Sequence, residues 1–170
     1  MPVVSPIARD LAIDGWGLAM VGVVGVVAAA IMTGGSPGLA IIPFMIVAVV
    51  FGLAQVVVSG GWLRNAVAGA APPPTGLVAE ADSATLRRCG LPALIALVLV
   101  VLALFAWVQF AALLAGLAFA AGLTDLRSRG WIARLEHERD VVILRQVTRV
   151  PFATVRTSLW AEPRGGSAGT

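Results

Sequence analysis

Residues 90–124 read GLPALIALVLVVLALFAWVQFAALLAGLAFAAGLT, thirty-five positions with no charged side chain and one amide, Gln109. A stretch of this kind belongs in a bilayer, whose hydrocarbon core takes a helix of about 20 apolar residues. It is too long for a single crossing. At about 1.5 Å per residue one helix would reach roughly 50 Å against a core about 30 Å thick. The alternative is a hairpin of two short helices, 91–106 and 108–123, turning near Trp107 and Gln109. The two geometries leave the C-terminus on opposite sides of the membrane, so the placement of charge decides between them.

Working outward, two more apolar spans precede this stretch. Residues 39–58 hold thirteen Leu, Ile, Val or Phe side chains, roughly −4 to −8 kcal/mol of insertion free energy. Pro43 lies in the opening turns, where a missing backbone donor is tolerated, and Gln55 is the strongly polar side chain of the span. Residues 15–32 are diluted by glycine and alanine and amount to roughly −2 to −4 kcal/mol on the same scale, a marginal inserter. Thr33 to Gly38, TGGSPG, is an uncharged turn. The leader 1–14 is short and polar, with an interfacial turn of helix expected; its Asp10 and Asp14 argue against a cleaved signal peptide. Residues 63–89 form the long loop, with a polyproline-like spacer at AAPPPTG and Ser83 as the expected cap of a helix entering the third span.

Arginine settles the geometry. All twelve basic residues are arginine: Arg9 in the leader, Arg64, Arg87 and Arg88 in the long loop, and eight after Thr124. Four crossings put every one of them on one side, which is the positive-inside pattern; three crossings would strand the eight C-terminal arginines outside. The hairpin follows, with both termini cytoplasmic. Trp16 and Trp62 then fall at the inner interface and Trp107 at the outer one, where amphipathic rings prefer to sit.

Beyond Thr124 the chain changes character. As far as about Arg139 it reads as a charged interfacial helix, with Asp125 and Arg129, and Arg134 and Glu138, at i,i+4 spacing. From Val141 the residues are β-branched and partly alternating, which predicts a two-stranded ribbon turning around Pro151 to Ala153. Such a ribbon is marginal in water and must rest on something else. The expected organisation is a four-helix membrane domain over 1–124, a basic cytoplasmic segment over 125–160 and a disordered tail over 161–170. The fold class is an all-α integral membrane protein of two helical hairpins.

Composition bounds the function. A hydrophobic fraction of 59% and a mean hydropathy of +0.94 lie outside the soluble range. The net charge of +3 comes from arginines beside membrane segments, where they set topology and meet anionic headgroups; nucleic-acid binding is not read from them. Arginine without lysine or tyrosine points to a GC-rich bacterial genome. The single cysteine, Cys89, excludes an internal disulfide and a CxxC redox pair. His137 stands between Glu136 and Glu138 with no second histidine to complete a metal site, so neither metal nor cofactor is expected. There is no phosphate-binding loop, nucleophile triad or paired-carboxylate cluster. No ionisable residue falls within an expected span, which disfavours proton-coupled transport.

Two patterns remain. Small residues line one side of span one, Gly15, Ala19, Gly22, Gly25 and Ala29, and recur every fourth position in span four, Ala112, Gly116 and Ala120; such faces let helices approach closely in lipid. Arg127, Arg129, Trp131, Arg134 and Arg139 form a surface suited to anionic headgroups or a partner. The expected function is a non-enzymatic scaffold or accessory subunit of a bacterial inner membrane, meeting another membrane protein or a second copy. The alternatives are an oligomeric channel or small permease component, and a lipid-modifying enzyme resting on Asp125, Glu136, Glu138 or Asp140.

Overall fold

The computed structural model describes residues 2–147 and 159–164, and of residues 59–62 the backbone alone. In chain order the elements are β1 (Val3–Pro6), α1 (Ile7–Met32), α2 (Gly38–Ala68), β2 (Val78–Ala79), α3 (Asp82–Ala106), α4 (Val108–Arg139), β3 (Val141–Gln146) and β4 (Leu159–Pro163). The protein is mostly helical, and all four helices are long and apolar enough to cross a membrane.

The breaks between helices at one end follow from local chemistry. Gly34 and Gly35 take left-handed backbone angles, φ 60° and 112°, which glycine adopts without a Cβ clash. Thr33 closes α1 by donating its hydroxyl to the Ala30 carbonyl at 2.7 Å. At the other break a single residue, Trp107, separates α3 from α4 in an extended conformation, φ −163° and ψ 112°, with its ring exposed.

At the opposite end the helices run further than their apolar stretches. α1 starts at Ile7 rather than Gly15, so the expected polar leader is a short strand followed by helix. α2 continues to Ala68 and α3 begins at Asp82, which shrinks the expected loop 63–89 to residues 69–81. Ala81, not Ser83, is the N-cap of α3, and no side chain caps it. α4 passes through Thr124 and Gly130 to Arg139 without interruption; the segment expected to be an interfacial helix is the continuation of the fourth apolar helix. The reason is tertiary. Ile132 and Glu136 are buried on this extension, so it is held by packing rather than by lipid.

What holds it is a sheet that gathers four distant segments in the order β2-β1-β3-β4. β1 runs parallel to β2 and antiparallel to β3, with Val4 opposite Gln146 and Pro6 opposite Leu144. β3 and β4 pair antiparallel, Leu144 opposite Trp160. The C-terminal strands are thus part of a larger sheet instead of an isolated ribbon, and Ala161 to Pro163, expected in the tail, are paired strand. The expected turn at Pro151 to Ala153 and residues 165–170 of the tail lie outside the described residues. Asp140, in a left-handed conformation with φ 52°, ends α4 and starts β3. Its carbonyl accepts the Arg164 amide at 3.0 Å.

Two apolar clusters result. In the bundle, Val21 and Ala29 of α1, Ala40 and Phe44 of α2, Val100 of α3, and Ala112, Ala115 and Ala118 of α4 pack together. Under the sheet, Ile7, Leu63, Val67, Ile132, Ile143 and Leu159 form the second cluster.

Candidate functional site

Between the two clusters lies a polar junction. Asp10, in the first turns of α1, is 1% exposed. One oxygen accepts the Ser5 hydroxyl at 2.7 Å and the other the Arg88 guanidinium at 2.8 Å. Arg88 also reaches Glu80, Nη2 to Oε2 at 2.9 Å and Nε to Oε1 at 3.3 Å. Thr85 donates to Glu80 Oε2 at 2.7 Å and accepts from Arg9 Nη2 at 2.7 Å. Arg9 also pairs with Asp82 at the start of α3. Ser5 of the sheet, Arg9 and Asp10 of α1, Glu80 of the loop, and Asp82, Thr85 and Arg88 of α3 therefore form one connected network.

The chemistry of this network is that of a latch. Burial opposes the charge on Glu80, but the hydrogen bonds from Arg88 and Thr85, together with the Arg88 and Arg9 charges, outweigh it and hold the carboxyl below its usual range. Removing one partner from a buried ion pair leaves an uncompensated charge, a cost of about 3–5 kcal/mol. Asp14, one turn from Asp10, feels the charges of Asp125, Asp10, Arg88 and Arg145, and its Oδ1 is buried without a hydrogen bond among the described residues. A second tie joins α4 to the sheet: the buried Glu136 accepts the Ile143 amide at 2.8 Å.

The small residues singled out in the sequence lie inside the bundle. Gly15, Ala19, Gly22, Gly25 and Ala29 are buried on α1, and Ala112, Gly116 and Ala120 on α4. They do not all face one another. A Cβ added to Gly116 would lie 2.7 Å from the Phe44 carbonyl of α2, and one on Gly52 of α2 would lie 3.8 Å from Ala120. The ridge of α4 that meets α1 is a different one. A Cβ on Gly22 would meet the Ala115 carbonyl at 2.8 Å and Phe119 Cβ at 2.5 Å, and a Cβ on Gly122 would lie 2.5 Å from both Ala19 N and the Gly15 carbonyl. Ala115, Phe119 and Gly122 escaped the sequence reading; the signal was a second small-residue row, Ala111, Ala115, Ala118 and Gly122, beside the one chosen.

The basic surface divides in two. Arg127, Arg129, Arg134 and Arg139 are exposed, whereas Trp131 packs against the cluster under the sheet. Trp131 is thus partly buried against protein, unlike the four arginines. Among the described residues the ion pairs are Arg9–Asp82, Arg88–Asp10 and Arg88–Glu80, so the expected pairs Asp125–Arg129 and Arg134–Glu138 do not close. Exposed pairs gain little over hydration, about 0–1 kcal/mol. Also among the described residues, no three His, Cys, Asp or Glu side chains converge as metal ligands.

Comparison with protein-family models, with curated proteins and with solved structures finds no match for this chain.

Proposed function

We propose that the chain is a non-enzymatic multi-pass protein of a bacterial inner membrane, a scaffold or accessory subunit whose docking surface is the basic face of its cytoplasmic cap. In this reading the helices form two out-and-back hairpins. Support comes from the sheet, which gathers the segments before α1, between α2 and α3, and after α4. Both termini and the 69–81 loop are then cytoplasmic, with all twelve arginines on that side, as charge bias favours.

The observation that carries the scaffold reading is the contrast between two sets of arginine. Arg9 and Arg88 are consumed by the junction latch. Arg134 and Arg139 are exposed and form no ion pair with a described residue. They stand on a helix that the cap holds rigid through Ile132 and Glu136. Positive side chains on a fixed support suit an acidic surface on a neighbouring protein, where complementary charge sets specificity and encounter rate.

Crosslinking in membranes followed by purification in a mild detergent tests this. A defined partner should be retained by the wild-type chain and lost from R134Q/R139Q. A stable monomer with nothing retained, or an undiminished complex in the double variant, overturns the reading.

A further inference from the structure

A lower tier of arginines has a different position and points to a different ligand. Arg64 of α2, Arg87 of α3, and Arg127 and Arg129 of α4 are exposed. None of them forms an ion pair with a described residue, and residues 148–158 and 165–170 contain no aspartate or glutamate.

Their heights agree. Among the described side chains, the last large exposed apolar residues are Val58 on α2 and Leu123 on α4, while on α3 exposed Leu91 is followed by Leu86, the neighbour of Arg87. At the helical rise, Arg127 stands about 6 Å beyond Leu123, Arg64 and Arg129 about 9 Å beyond Val58 and Leu123, and Arg87 about 6 Å beyond Leu91 and level with Leu86. The headgroup layer on one side of a bilayer is roughly 5–8 Å deep, and an arginine side chain can reach down into it while its stem covers apolar surface. Arg134, about 16 Å beyond Leu123, lies above that layer.

We infer that Arg64, Arg87, Arg127 and Arg129 form a collar that binds the phosphate headgroups of anionic phospholipids at the inner leaflet. The guanidinium fork matches a phosphate in two parallel hydrogen bonds. Unpaired with any described carboxylate, each collar arginine keeps that capacity free for lipid. Inward-facing Arg9 and Arg88 at the same end have acidic protein partners instead, so the fold sorts arginines by what is available to neutralise them. The collar rests on the membrane orientation proposed above and assigns the lipid to one tier and the protein partner to the other.

The test uses the full chain purified in an uncharged detergent, with native mass spectrometry after titration of phosphatidylglycerol or phosphatidylcholine. The wild type should retain phosphatidylglycerol in preference, with the preference weakened by salt. R64Q/R87Q/R127Q/R129Q should lose it, each arginine contributing about fivefold, while helicity stays unchanged. If the quadruple variant fails to fold, R127Q/R129Q should show the same loss in part. R134Q/R139Q should keep the lipid preference, whatever its effect on a protein partner, which separates this inference from the scaffold reading. Equal retention of the two lipids by the wild type overturns the collar, as does an undiminished preference in R127Q/R129Q or its loss in R134Q/R139Q.

Discussion

The bundle contact of α1 with α4 and the junction that ties α1 to α3 share one helix, yet they are held by opposite means. In the bundle the helices meet through Gly15, Ala19, Gly22, Ala115 and Gly122, so closely that an added Cβ would strike backbone. These residues are uncharged; the Asp14 and Asp125 carboxyl groups, the first of which feels the charge of the second, stand at the junction end of the contact. One turn below Gly15 the same α1 carries Asp10, sealed against Arg88 and Ser5. Lipid offers no hydrophobic drive between apolar helices, so close packing must supply the attraction. Where the helices leave lipid, a set of specific hydrogen bonds becomes available to fix which segments meet. Shape holds the upper half, the α1–α4 contact, and polarity specifies the lower, the junction.

The strongest way to break the lower half is Asp10→Ala. It frees Ser5 and leaves Arg88 with Glu80 as its remaining partner, at an expected cost of about 1.5–3 kcal/mol for the lost charge-assisted hydrogen bonds. Thermal unfolding in detergent should fall accordingly, and limited proteolysis should open the 69–81 loop before the bundle. A uniform loss of protection would contradict the division. In the upper half, Gly122→Ala places a methyl group against Ala19 N and the Gly15 carbonyl, which cannot yield as a side chain could. The expected cost is about 1–3 kcal/mol, with the loop protected as in wild type.

How far all this could be read from the sequence depends on what each helix end faces. At one end the helices stop at Met32, restart at Gly38 and break at Trp107. Gly34, Gly35 and the uncharged, turn-forming TGGSPG signal the first of these boundaries directly. At the other end hydropathy misleads. Leu63, Val67 and Ile132 lie beyond the continuous apolar runs, in stretches broken by arginine, asparagine and glycine, and they become core because the sheet covers them. Strands of four and two residues, β1 and β2, are too short to announce themselves. The junction left one trace: Asp10 and Asp14 lie one turn apart just before an apolar run, and Arg88 sits at the matching border of another. The partner of each was invisible because Arg88 and Asp10 are 78 positions apart.

Acid should separate the halves more gently. The carboxyl of Glu80 is held below its usual range, so its contribution is complete above about pH 4.3, the unfolded value. It is lost as the pH falls through the lower folded value. Melting followed from pH 7 downwards should show the loop loosening first, and E80Q should flatten that dependence. The smallest expected effect is a gain. A Cβ on Gly130 meets nothing within 4 Å, so Gly130→Ala should stabilise the α4 extension by up to about 1 kcal/mol through helix propensity. It should leave the α1–α4 contact untouched.

In the proposed topology the chain crosses four times and returns its N-terminus, its 69–81 loop and its C-terminal strands to one side. Single cysteines at Gly34, Gly76 and Arg164, introduced on C89A, can be probed in intact cells with a membrane-impermeant maleimide. Position 34 should label from outside, and positions 76 and 164 only after the membrane is opened. Labelling of position 164 from outside while position 76 stays protected would leave an odd number of crossings after the loop, and would contradict it.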